Sequence, residues 1–187
     1  METDSKRHRH SIRLKDFDYA SEGAYFITVC IRHGKPYCEK YPTLKNIISE
    51  EWDTLPERFL DVVTDAFVIM PNHLHGIIAK SVGATLVVAR KRAGTSPAPT
   101  IGNIIGTFKS LCVKKWLEYN KTNNTIPVEL FRQRNYYEHI IRDEDELNLI
   151  REYIIYNPLQ WKYDKYNANC IDDIEFSTKW DWLERNI

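Results

Sequence analysis

The sequence predicts an α+β domain: an antiparallel sheet with helices packed on a face. Three observations predict it. Gly23–Ile31 is a dense run of aromatic and β-branched residues, His73–Ala79 alternates strictly behind the breaker Pro71-Asn72, and apolar residues recur at helical spacing in three separate segments.

The elements follow in chain order. Met1–Lys15 is a polar, basic tail, with Lys6, Arg7, Arg9 and Arg13 crowded beside His8 and His10. Gly23–Ile31 reads as a central strand, with Cys30 in its core. Leu44, Ile47, Ile48, Trp52, Leu55 and Phe59 define a helix over 44–59, which Pro56 should end or distort in its last turn. Asp65–Met70 is a second strand. His73–Ala79 is a third, with His73, His75 and Ile77 on one face and Leu74, Gly76 and Ile78 on the other. Gly76 permits close approach of another backbone or a helix. Thr100–Tyr119 is a helix, and Leu130–Ile141 is an extended segment that becomes a strand. Asp143–Tyr156 is a helix whose acidic first turn suits the macrodipole, and Asn157-Pro158 stops it.

One domain of 187 residues holds all of this, with the inserted loop 82–100 and a C-terminal extension over 163–187. A content of 43% hydrophobic and 28% charged residues is that of a globular protein with a real core. No apolar run reaches bilayer length, and the N-terminus lacks the apolar segment of a secretion signal, so no membrane role and a cytoplasmic, nucleoid-associated location are expected. Net charge is zero, yet the basic start and the acidic stretch after Ile140 separate the charges, which suits one basic face toward phosphates. The four cysteines form no CxxC pair and read as free thiols.

Three segments carry chemistry. In Met70-Pro71-Asn72-His73-Leu74-His75-Gly76, two histidines one residue apart on a strand face the same way, close enough to share a divalent cation; pairs of this kind are more often simply hydrogen-bonded in a core. In Arg151-Glu152-Tyr153-Ile154-Ile155-Tyr156-Asn157-Pro158, Tyr153 and Asn157 share a helix face, a spacing that can set an amide oxygen beside a phenol; such a segment is more often an amphipathic helix whose tyrosines pack the core. The third, Phe131-Arg132-Gln133-Arg134-Asn135-Tyr136-Tyr137-Glu138-His139-Ile140-Ile141-Arg142, interleaves arginines with aromatics, as suits phosphate contact and base stacking on single-stranded DNA; a charged edge strand reads the same way. Lys109, Lys114 and Lys115 extend a basic surface.

Together, Tyr25-Phe26-Ile27-Thr28, Asp65 through Ile78, Ile105-Gly106-Thr107-Phe108-Lys109-Ser110 and Arg134 through Arg142 resemble the REP-associated tyrosine transposases, which belong to the single-tyrosine HUH endonucleases. The resemblance runs from about Arg13 to Lys162. It implies a ferredoxin-like sheet, His73 and His75 as metal ligands, Tyr153 as nucleophile, and Asn157 where related transposases present Gln or Asn to the metal. Mg²⁺ or Mn²⁺ would be the cofactor and single-stranded or hairpin DNA the partner. Cleavage would leave a 5′-phosphotyrosine and a 3′-hydroxyl. Tyr136, Tyr137 and Tyr156 are rival nucleophiles. A hairpin-binding protein that does not cut, and a phosphodiesterase that activates water, are the competing functions. Monomer and homodimer, and a site completed by one chain or two, stay open. DNA contacts are expected from Lys6, Arg7, Arg9, Arg13, Lys109, Arg132, Arg134, Tyr136 and Tyr137.

The stretch Val82–Thr100 breaks the pattern and is rich in small residues. Its codons permit GGGCGACC followed by the reverse complement GGTCGCCC, so a translated DNA palindrome inserted in a surface loop is a further expectation.

Overall fold

The computed structural model describes residues 21–81, 99–125 and 136–171. Four strands form one antiparallel sheet: β1 (Gly23–Cys30), β2 (Val62–Ile69), β3 (His73–Lys80) and β4 (Tyr137–Ile141), in the order β2-β3-β1-β4. The helices are α1 (Tyr37–Lys40), α2 (Pro42–Asp53), α3 (Leu55–Arg58), α4 (Ile101–Thr122) and α5 (Glu144–Tyr156), with 3₁₀ turns at Arg32–Gly34 and Asn157–Tyr163. This is the predicted ferredoxin-like arrangement, with β1 inside the sheet as expected.

The strand repeat builds two cores. Tyr25, Ile27 and Val29 of β1 and Leu74 and Ile78 of β3 face α2 and α4, where they meet Leu44, Ile48, Trp52, Ile104 and Phe108. Phe26 and Ile77 face the other way, against Ile150, Tyr153 and Ile154 of α5. The sheet is therefore buried on both sides, and the second side carries the histidines.

Local signals set the helix ends. Thr100 caps α4 through a reciprocal box with Asn103, and the Asp143 carboxylate accepts the Glu146 amide at 2.8 Å to start α5. The helix expected over 44–59 is two helices, because Thr54 ends α2 and Pro56 falls in the first turn of α3, where its missing N–H costs nothing. Asn157-Pro158 ends the α-helix but not the helical path, since Asn157 keeps α-helical angles and the chain tightens into a 3₁₀ turn. Cys30 is not in the core. It lies at the end of β1, beyond Thr28↔Tyr137, the last pair with β4, and is half-buried. All four cysteines are free.

β2 carries a bulge between Thr64 and Phe67. Bulges re-aim side chains, and here Asp65 takes Arg151 of α5 in a two-pronged contact at 2.6 and 3.0 Å. On the opposite face Gly76 lies under Trp52, whose ring stacks on Phe67 at 4.4 Å. The close approach expected at that glycine is thus made by a helix-borne indole.

The basic tail, most of the 82–100 insertion, Arg132, Arg134 and residues 172–187 lie outside the described residues. Among the described residues, no helix is long and apolar enough to cross a membrane.

Candidate functional site

Asn72 ends the turn between β2 and β3 and fixes where the site begins. Its side chain is buried; Nδ2 donates to the carbonyls of Gly34 at 3.0 Å and Tyr166 at 2.6 Å, and Oδ1 accepts from His73 Nδ1 at 2.8 Å. Because an amide oxygen only accepts, His73 carries its proton on Nδ1 and offers a lone pair at Nε2. His75, two residues on, has its Nδ1 2.9 Å from the Thr28 hydroxyl, and the two Nε2 atoms stand 2.9 Å apart.

Both imidazoles have no exposed surface. Burial lowers His73 to about 3, helped by the positive charge of Lys165. His75 is held well below its ordinary range, first by burial, then by His73 and Lys165. Neutral imidazoles are what a cation binds. Two nitrogens held about 2.1 Å from one ion at a right angle stand about 3.0 Å apart, close to the observed separation. Thr28 accepts as readily as it donates, so His75 can shift its proton to Nδ1 and present Nε2 beside that of His73.

Tyr153 and Asn157 come from the end of α5 and the turn that follows it. Tyr153 is 4% exposed, and its ring centroid lies 5.3 Å from that of His75 and 6.0 Å from that of Phe26. Asn157 is 3% exposed, and its Oδ1 has no hydrogen-bond partner among the described residues. A buried, unpartnered amide oxygen is costly.

The rival tyrosines sit differently. Tyr156 is 45% exposed. Tyr137 begins β4, half-buried, and burial raises its phenol to about 12. Tyr136 donates its hydroxyl to Glu138 at 2.5 Å. The basic surface expected on α4 is largely neutralised, since Lys115 pairs with Glu51 at 2.7 Å and Glu50 at 3.3 Å, and Lys114 with Glu118 at 4.0 Å. Lys109 differs: it is pushed below the usual lysine range by burial, while Cys30 nearby draws it up.

Three residues here escaped sequence reasoning. Tyr166 lies over His73, ring centroids 4.6 Å apart, and Trp161 lies 6.1 Å away. Asp164, between them in sequence, brings Oδ2 to 3.5 Å from His73 Nε2. They belong to a stretch with neither helical nor strand repeat, and no local signal marked it.

A Haemophilus influenzae protein of uncharacterized function is 41% identical over 174 residues, which is 84% of this chain and 92% of that protein. A second protein of that organism, provisionally named a REP-associated tyrosine transposase, is 25% identical over 147 residues, 78% of this chain and 76% of its own. Among solved structures, that of a REP-associated tyrosine transposase bound to a REP hairpin aligns over 80% of this chain and 74% of its own, with a TM-score of 0.50 and 16% identity, a likeness of fold. No family model matches the sequence.

Proposed function

We propose that this chain, which shares the fold of a REP-associated tyrosine transposase and is 25% identical to a relative provisionally so named, is a metal-dependent endonuclease and strand transferase for hairpin or palindromic single-stranded DNA. The observation that carries the reading is the packing of Tyr153 against His75, at 5.3 Å between centroids, beside a pair of neutral imidazoles that share one buried point.

His73 and His75 would hold a divalent cation, with the orphaned Oδ1 of Asn157 as a third donor. Imidazole suits Mn²⁺, whereas Mg²⁺ fills its shell with oxygen from water and phosphate. When bound, the ion polarises the scissile phosphate and takes up charge that develops on it.

The chain's own groups do the rest. The Tyr153 phenol attacks phosphorus, the bond to the 3′-oxygen breaks, and the phenolic proton is made good on that oxygen. One phosphodiester is exchanged for another, so no nucleotide cofactor is needed. Attack by a 3′-hydroxyl on the phosphotyrosine reverses the exchange and releases the phenol. A phenol with a reference pKa near 10 needs help to attack, which a divalent cation held by His73 and His75 beside it would supply. The Asp65–Arg151 contact would position α5 and the nucleophile it carries. Lys109, Arg132, Arg134, Tyr136, Tyr137 and the tail residues Lys6, Arg7, Arg9 and Arg13 would hold the strand, by phosphate contact and by stacking. Since Trp161 and Tyr166 lie over His73 and both imidazoles are fully buried, the segment after Asn157 draws back for a phosphate to enter.

The test is a covalent adduct. Full-length protein incubated with hairpin single-stranded DNA and Mn²⁺ forms a species that survives denaturing electrophoresis. Tyr153→Phe abolishes it, and Tyr166→Phe and Tyr156→Phe do not. Cleavage that leaves free 5′-phosphate ends without an adduct would assign the attack to water instead.

A further inference from the structure

We propose that Asp164 is a further ligand of the cation in the DNA-free protein, adding a carboxylate to the two histidines and Asn157. The inference rests on the metal reading above and adds a residue that neither the His-x-His pattern nor the Tyr153–Asn157 spacing contains.

Four observations carry it. One nitrogen from each of His73 and His75 and one oxygen from Asp164 lie within 4.8 Å of one another. The Asp164 side chain is 6% exposed, and its two oxygens are used unequally. Oδ1 accepts the Tyr166 amide at 2.7 Å, while Oδ2 has no hydrogen-bond partner among the described residues and faces His73 Nε2 at 3.5 Å. That distance is long for a hydrogen bond, and the His73 lone pair already faces the other imidazole at 2.9 Å. The buried carboxylate oxygen and the two imidazole nitrogens thus converge on one place. Buried carboxylates are neutralised by a cationic partner or a metal; among the described residues the charge of Lys165 acts on Asp164 from a distance, and no lysine or arginine stands within ion-pair reach of it.

The backbone explains how the carboxylate arrives. Asp164 ends the 3₁₀ turn that begins at Asn157, so both unpartnered oxygens are borne on the stretch that leaves the tyrosine helix. Asn72 ties that stretch to the imidazole, with Nδ2 on the Tyr166 carbonyl and Oδ1 on His73 Nδ1. One side chain thereby sets the spacing between the histidine and the loop that carries Asp164. Two imidazole nitrogens with one carboxylate are a donor set for Mn²⁺ and other first-row ions.

Mn²⁺ binding to the DNA-free full chain tests this, read by loss of the free-ion electron paramagnetic resonance signal and by calorimetry. Wild type binds one ion, His75→Ala binds none, and Asp164→Asn binds about tenfold more weakly or worse. Wild-type affinity in Asp164→Asn, with binding lost in His75→Ala, overturns the role of Asp164 and leaves the histidine site standing. No uptake by wild type overturns both. A second variant does not depend on the behaviour of the amide. Asp164→Cys loaded with Co²⁺ shows a near-ultraviolet thiolate-to-cobalt band that wild type lacks, and its absence from folded, cobalt-loaded protein refutes the assignment.

Discussion

Gly76→Ala tests whether the histidine strand is held as closely as the packing indicates. A β-carbon at this position would stand 2.5 Å from Trp52 Cη2 and 3.0 Å from Phe67 Cδ2, and closer still to Trp52 Cζ2. The indole cannot retreat, because Trp52 is fully buried with Phe67 stacked on it at 4.4 Å and Phe108 edge-on at 5.7 Å. Nor can β3 move freely, since it is paired with β1 on one side and β2 on the other. Overpacking a tight core costs about 1–3 kcal/mol, and with neither ring nor backbone free the upper end applies. At roughly 2–4 °C per kcal/mol for a domain of this size, the melting temperature falls by about 6–12 °C. Urea unfolding followed by tryptophan fluorescence, with calorimetry alongside, reads both quantities. Trp52→Leu combined with Gly76→Ala should cost less than the two single changes summed, by about 1–2 kcal/mol, as expected of residues in contact. A Gly76→Ala protein as stable as wild type, or strict additivity in the double variant, would refute the packing argument. Because Gly76 follows His75 directly, the same change should weaken Mn²⁺ binding.

Arg151→Met should cost under about 1 kcal/mol of stability, since the pair with Asp65 is part-exposed, yet slow adduct formation about tenfold through misplacement of the nucleophile; unfolding curves and adduct time courses separate the two, and a wild-type rate would remove Arg151 from positioning. Asn72→Ala should cost about 1–3 kcal/mol, because it strands His73 Nδ1 and the Tyr166 and Gly34 carbonyls, and should weaken Mn²⁺ binding about 10- to 100-fold by calorimetry; unchanged affinity would contradict it. Metal-free protein should lose stability on acidification. The fold keeps His73 near 3 where an unfolded histidine sits near 6.5, so this contribution is complete above pH 6.5 and is lost as pH falls toward 3. His75 acts in the same direction, while Asp164, raised by burial to about 6, opposes them between its ordinary 3.8 and 6. The histidines together outweigh Asp164, so the urea midpoint in EDTA drops between pH 7.5 and pH 5; a flat or rising midpoint would contradict it.

Much of this architecture is legible in the sequence because its causes are local. The β-branched density of β1, the alternation of His73–Ala79 and the helical spacing around Ile104 and Phe108 each follow from a side-chain repeat, and so does the sharing of a face by His73 and His75. Gly76 is legible for a similar reason: a strand glycine between large residues implies that something approaches closely. The errors arise where neighbours in space decide. Cys30 has an apolar context in sequence, but among the described residues β4 pairs with β1 only as far as Thr28, which leaves Cys30 half-buried at the strand end. Pro56 announces a disturbance without saying that a fresh helix starts there. Asp164 and Tyr166 reach His73 only because the chain tightens into a 3₁₀ turn past Pro158 and is caught by Asn72. That catch joins residues far apart in sequence.

The most direct measurement locates the covalent bond. Peptide mapping by mass spectrometry of the denatured adduct, made with Mn²⁺ and a hairpin strand and digested to leave a short 5′-phosphodinucleotide, should find that mass on the peptide containing Tyr153 and on its phenol alone. Attachment to Tyr136, Tyr137, Tyr156 or Tyr166, or nicked DNA with no modified peptide, would contradict the pairing of this phenol with the buried imidazoles.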